Sequence, residues 1–111
     1  VSLTQTPVLI ATGTALSAEV DLGNKILVGI AMPSGWDAAA LTFQGSIDGG
    51  NTWLELTSTG GTAVSFTVAA GQFIVVDPTL WRGINAIKLR SGTSGAPVNQ
   101  TANRTLTLIT A

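Results

Sequence analysis

Residues 41–57, LTFQGSIDGGNTWLELT, carry the clearest hairpin pattern in this chain. Leu41, Phe43, Gly45 and Ile47 alternate with Thr42, Gln44 and Ser46, the period-2 spacing that puts one set on each face of a strand. Asp48-Gly49-Gly50-Asn51 follows; such residues accept φ > 0 or bond their own backbone, so the chain reverses there at low steric cost. On the return, Leu54 and Leu56 share one face and Trp53 and Glu55 the other.

Short runs of the same kind lie on both sides. Residues 1–10 are β-prone but contain Pro7, which removes a ladder donor, so this stretch is expected to be an edge strand or an N-terminal arm lying on a neighbour. Leu16, Ala18, Val20 and Leu22 alternate with Ser17, Glu19 and Asp21, and Gly23-Asn24 makes a turn. Residues 25–33 are apolar at nearly every position, the pattern of a strand buried on both faces or covered outside by a partner. A short loop, with room for one helical turn, runs from Trp36 to Ala40. Beyond the hairpin, Val64, Phe66 and Val68 alternate with Ser65 and Thr67, residues 73–76 are wholly apolar, Ile87 and Leu89 alternate with Lys88 and Arg90, and Leu106 and Leu108 alternate with Thr105 and Thr107. Residues 91–102, SGTSGAPVNQTA, are the longest loop, and loops of about a dozen residues are usually functional or disordered. Eight or nine short strands without a convincing helix predict an all-β fold: one antiparallel β-sandwich, jelly-roll-like, spanning residues 1–111.

Composition narrows the functions open to such a domain. Only 10% of the residues are charged, against a usual share of about 25%, so Thr, Ser, Asn and Gln must cover most of the outside. A surface of that kind, with a net charge of -1, repels neighbours weakly and suits a protein that sits against other proteins. With no Cys there are no disulfides or thiolate metal sites, and with no His the usual general base and commonest metal ligand are missing. Lys25, Arg82, Lys88, Arg90 and Arg104 form no run, so no phosphate-neutralising patch is expected and nucleic acid is not a predicted partner. Nor is a membrane, because no apolar run approaches the 18 or so residues of a spanning helix. The first ten residues lack a basic region followed by an apolar one, which fits a mature cytoplasmic product better than a secretory leader.

The turn also spells Ser46-x-Asp48-x-Gly50-x-Thr52-Trp53, which resembles the Asp-box of sialidases and related β-propellers. In that family the box stabilises a hairpin in each blade, and one copy in 111 residues cannot build a propeller. Ser46, Asp48, Gly50 and Thr52 are therefore expected to be structural, and the chain has no Tyr to supply a sialidase nucleophile. For an enzyme the available carboxylates are Asp48 with Glu55, in one hairpin, and Asp37 with Asp77, able to meet at a loop end; turn and surface roles suit all four better. An oxygen-only Ca²⁺ site at Asp48-Gly49-Gly50-Asn51 has too few carboxylates for an EF-type loop. No catalytic residue, cofactor or metal is predicted. Trp36, Trp53 and Trp81 offer indole faces for stacking on sugars, which makes a carbohydrate-binding module the alternative; the simpler role for each is to cap the core. Asn99-Gln100-Thr101 and Asn103-Arg104-Thr105 match the glycosylation sequon, as chance allows in a Thr-rich chain.

Asp21-Leu22-Gly23, residues 28–33 (VGIAMP), residues 41–44 (LTFQ), Asp48-Gly49, Asp77-Pro78, residues 88–95 (KLRSGTSG), residues 97–100 (PVNQ) and Arg104-Thr105-Leu106 together carry a second resemblance. Over nearly its whole length the chain is similar to small all-β virion proteins of tailed bacteriophages and prophages, described as head-decoration, cement or minor structural proteins. That resemblance implies a non-enzymatic capsid decoration protein, made in the host bacterial cytoplasm and held on the virion exterior. It implies the major capsid protein as partner and a homo-oligomer, with a trimer favoured; a tail or baseplate subunit is a further alternative. Contact with the lattice is expected through the arm, at Val1, Leu3, Gln5 and Pro7, and through the long loop, at Thr93, Pro97, Val98 and Asn99, where unpaired backbone is available to a neighbour's sheet.

Overall fold

A computed structural model describes residues 3–111. Nine antiparallel strands pair in two sheets: β1 Thr4–Ile10, β2 Val20–Asp21, β3 Leu27–Ala31, β4 Leu41–Gly45, β5 Leu54–Glu55, β6 Ser65–Phe66, β7 Phe73–Val75, β8 Ala86–Ser91 and β9 Arg104–Thr110. One sheet has the order β1-β9-β3-β7; the other has β2-β8-β4-β5, with β6 also on β4. β5 and β6 pair with opposite ends of β4 and so act as one strand interrupted by an excursion of residues 57–63. Counted that way the orders become 1-8-3-6 and 2-7-4-5, a jelly roll, in which every connection but the one from 4 to 5 crosses between sheets. The only helix among the described residues is a single 3-10 turn, Pro78–Trp81, capped by Asp77; the loop from Trp36 to Ala40 has none.

Period-2 alternation fills the space between the sheets. Val8 and Ile10 of β1, Leu106 and Leu108 of β9 and Ile30 of β3 face Leu41 and Phe43 of β4 and Ile87 and Leu89 of β8, and all are buried. Trp81 closes one end of this core at 1% exposure, in T-shaped contact with Phe43 at 5.0 Å and Phe66 at 6.2 Å. Its buried indole N–H has no hydrogen-bond partner.

Several local patterns resolve differently from the sequence reading. The alternation over residues 16–22 slips: Ala15, Ser17, Val20 and Leu22 point inward, while Leu16 and Ala18 lie outside. Ser17 is buried because its hydroxyl donates to the Ala18 carbonyl and accepts from the Leu89 amide, so a hydrogen-bonded serine displaces an apolar neighbour. Ile47 does not extend the inner face of β4; it sits in the turn, 87% exposed. Thr42 and Arg90, on the outer face, are buried all the same, because Arg90 donates Nε–H to the Thr42 hydroxyl at 3.0 Å and pairs with Glu55 above it. The wholly apolar β3 covers its outer face from within the chain, since the Phe73 ring lies over Gly29, where a β-carbon would meet Phe73 Cε1 and Cζ at 2.8 Å.

Candidate interaction surface

The Asp-box turn is a closed hydrogen-bond unit. Ser46 Oγ donates to Asp48 Oδ1 at 2.9 Å and accepts from the Gly50 amide at 2.8 Å, while the amides of Asn51 and Thr52 donate to the same Asp48 oxygen. Gly49 and Gly50 take φ of 74° and 100°, the left-handed backbone the reversal demands. The donors of Thr52, hydroxyl and amide, hold the Asp48 carboxyl below the usual aspartate range. Oδ1 of Asp48 is thus engaged inside the turn, and Trp53 adds its indole N–H to the Gly50 carbonyl at 3.0 Å.

The three Trp residues do not share a platform. Trp81 is core, which removes it as a stacking surface: the 3-10 turn after β7 drives its ring inward against Phe43. Trp53 has Lys88 Nζ 4.6 Å above its ring, and Trp36, half-buried, donates its N–H to the Ala39 carbonyl. Trp36 precedes β4 and Trp53 follows the turn beyond it, so the strand separates the two.

Asp37 and Asp77 do not meet either. Asp77 follows Val76, which bonds back to Val28 at the start of β3, whereas Asp37 lies beyond the other end of that strand. There Asp37 joins the long loop to the body. Its carboxylate accepts from the Thr101 amide at 2.7 Å and the Thr101 hydroxyl at 3.1 Å and pairs with Arg104 at 3.0 Å. The Thr101 amide is the main cause of a carboxyl held below the usual range, against the opposing effect of burial, with Arg104 adding less. Beneath it Gln100, fully buried, donates to the Asp37 carbonyl and Ser91 Oγ and accepts from the Asp37 amide and Arg104 Nε.

That clamp corrects the expectation of a loose loop. Residues 92–97 form a small hairpin closed by a Gly92–Pro97 bridge, Val98 donates to Ser91, and Gln100 exchanges backbone bonds with Gly13 and Thr14. Of the backbone groups expected to be free for a neighbour, the amides of Thr93, Ala96, Val98, Gln100 and Thr101 are paired within the chain. Thr93, Pro97 and Asn99 are exposed and Val98 is half-buried. Of the two sequons, Asn103 is engaged, accepting from the Thr12 amide and hydroxyl.

The arm is likewise an edge strand rather than a free segment. β1 pairs with β9 from Thr4–Thr110 to Ile10–Arg104 without a break. Pro7 is tolerated because an edge strand bonds on one side only. Leu3, Gln5 and Pro7 are exposed; Val1 lies outside the described residues. Leu3 stands at one end of β1 and the loop at the other, about 20 Å apart at strand spacing, so the expected contact residues form two separate places rather than one patch.

What the sequence reading did not single out is the face between them. Register places Gln5, Pro7 and Leu9 of β1, Thr105, Thr107 and Ile109 of β9, Gly29 and Ala31 of β3, and Phe73 and Val75 of β7 on the outer side of the four-stranded sheet. No charged side chain occurs in that set. Leu9 is 47%, Phe73 60% and Val75 84% exposed, on a continuous sheet rather than scattered. The signal present in the sequence was the apolar run at residues 73–76: a strand apolar on both faces, at a sheet edge, must leave one face out. Beside β1, where the sandwich stands open between β1 and β2, lies a groove of about 340 Å³ walled by Pro7, Leu9, Leu16, Ala18 and Val20, with Glu19 its one charged residue. Among the described residues no three His, Cys, Asp or Glu side chains gather as a metal site would require, and no helix is long and apolar enough to cross a membrane.

No protein-family model matches this chain, and no curated protein does. A solved structure does: the SPBc2 prophage-derived protein YomS is similar over 99% of this chain and 95% of its own, with a TM-score of 0.58 and 13% sequence identity. The fold described above is therefore one that a prophage-derived protein also has. At that identity the likeness is one of fold.

Proposed function

We propose that this protein is a non-enzymatic structural component of a tailed-phage or prophage virion. In this reading it decorates the outer surface of the head, takes the major capsid protein as its partner, and stabilises the shell by bridging neighbouring subunits. The observation that carries the proposal is the open edge of the sandwich: an apolar groove between Pro7 and Leu9 on one lip and Leu16 and Ala18 on the other, beside a sheet face without charge. An extended segment of a capsid subunit laid in that groove gains apolar burial and meets the free side of β1, the mode of strand addition. Each contact is small, and many copies on one lattice add up through multivalency. The prophage origin of a protein with the same fold supports the setting.

The test is occupancy on purified capsids, followed by gradient sedimentation. Leu9→Glu and Leu16→Glu change exposed side chains and leave the core alone, and each is expected to lower occupancy at least tenfold, about 1.4 kcal/mol per site or more. Full occupancy by the double variant overturns the reading. Deleting residues 1–7 is the wrong experiment, because it strips four of the seven residues from β1 and disturbs the sheet itself.

A further inference from the structure

We propose that a cavity between two turns at the Trp81 end of the sandwich binds a carboxylate carried on a short apolar stem. The proposal does not rest on the virion reading, and the cavity shares no wall residue with the groove beside β1. One turn runs from Leu22 to Lys25, closed by the Lys25 amide on the Leu22 carbonyl at 3.1 Å; the other runs from Trp81 to Ile84, closed in the same way at 3.4 Å. Gly23 and Gly83, with φ of 61° and 83°, let the chain reverse in each. The Leu22 amide donates to the Asn85 carbonyl at 2.7 Å, which joins the two turns through the backbone. The cavity they wall has a volume of about 270 Å³.

The disposition of charge points to the ligand. Of the five cationic side chains, Arg90 pairs with Glu55, Arg104 pairs with Asp37, and Lys88 stands over the Trp53 ring. The other two, Lys25 and Arg82, have no ion pair among the described residues, and both line this cavity. No acidic side chain lines it with them. Asp21, the nearest along the chain, borders a neighbouring cavity and accepts from the Gly23 amide. Two like charges on one cavity repel each other, and an anion between them turns that repulsion into attraction. Asn24 and Asn85 bring carboxamides to the wall, and Trp81 brings a buried N–H with no partner. Trp81 and Ile84 also wall a smaller cavity of about 70 Å³ with Leu56, Thr57, Val64 and Leu80, which has no charge, so an anion is drawn to the larger one. The planar fork of Arg82 matches a carboxylate in two bonds, while Ile26, Ile84 and the Trp81 ring offer apolar wall to the carbons behind it. The volume lies just under the roughly 300–1,000 Å³ of ordinary ligand pockets, which limits the stem to a few atoms. A small free organic acid and the side chain of an acidic residue on a partner share this chemistry.

The experiment is a titration of the purified chain with sodium butyrate at neutral pH and constant ionic strength, followed by ¹⁵N–¹H correlation spectra. A ligand of so few atoms is expected to bind with a dissociation constant of about 1–10 mM. Saturating shifts are expected at Asn24, Lys25, Arg82, Gly83 and Asn85 and at the Trp81 indole N–H, whose signal reports the acceptor directly. Lys25→Gln and Arg82→Gln should each weaken binding about fivefold, and the double variant should abolish it. Arg82 is exposed and Lys25 half-buried, so these variants keep the fold, which an unchanged melting temperature verifies. Butyramide, the neutral isostere, should leave the same signals in place. The α-amide of N-acetylglutamate, an acidic side chain on capped backbone, separates the two sources: binding tighter than butyrate assigns the site to a partner's acidic residue, and weaker binding assigns it to a free acid. The proposal is overturned by the absence of saturable shifts, by equal shifts with butyramide, by binding that survives in the double variant, or by inorganic phosphate binding more tightly than butyrate.

Discussion

Arg90 shows how one side chain can be misread from alternation alone. Its position on β8 marks it as outward, yet it is buried, with Thr42 beneath it and Glu55 beside it. Removing only the anion strands a guanidinium that water reaches poorly. Glu55→Ala is therefore expected to cost about 2 kcal/mol, reduced from the 3–5 kcal/mol of a fully buried pair because Glu55 retains some exposure. Replacing both partners by apolar residues, Arg90→Met with Glu55→Leu, should come within about 1 kcal/mol of the parent, since no charge is left unpaired. Urea titration of the three proteins checks both values. Equal losses in the single and double variants would show that the pair matters through packing rather than charge.

The long loop between β8 and β9 shows the same effect in a whole element. Its Gly, Pro and Ser content announces a loop, and a loop it is, but its order comes from Gln100, a residue with no local signature. Gln100→Ala removes a side chain that bonds Asp37, Ser91 and Arg104 at once, and it leaves the Asp37 amide and Ser91 hydroxyl without that partner. The expected loss is about 2–3 kcal/mol, with amide exchange rising most at Thr101 and Asp37. An unchanged exchange pattern would assign the loop's order to its backbone bonds alone. The edge strands follow a different rule. β1 and β7 were visible as strands from residue types, but which face of each remained bare depended on register with β9 and β3.

Over the molecule as a whole, acid stability should depend on three aspartates that fasten separate regions: Asp37 the long loop, Asp48 the hairpin turn and Asp77 the 3-10 turn, where Thr79 donates hydroxyl and amide. Each is held below the ordinary aspartate value of about 3.9 in the folded state. A lowered folded pKa contributes stability that is present above the unfolded value and lost as pH falls through the folded one. The melting temperature is thus expected to hold level from pH 7 to about 5 and to fall below about 4, less steeply in Asp48→Asn. A melting temperature that rises on acidification would contradict this.

Legible in the residues alone were the all-β class, short strands of which most alternate apolar and polar, turns at Gly-rich sites, and a core containing Leu41, Phe43, Ile87, Leu89, Leu106 and Leu108. Those features depend on near neighbours: side-chain alternation, turn chemistry and burial of the commonest apolar residues. It took the folded chain to show that Trp81 is interior, that Ser17 replaces Leu16 on the inner face, that Gln100 is the clasp of the loop, and that Leu9, Phe73 and Val75 lie bare on the outer side of one sheet. Each of these depends on partners tens of residues away, brought together by strand pairing. A contact set by register across a sheet leaves no periodic trace in either segment that makes it.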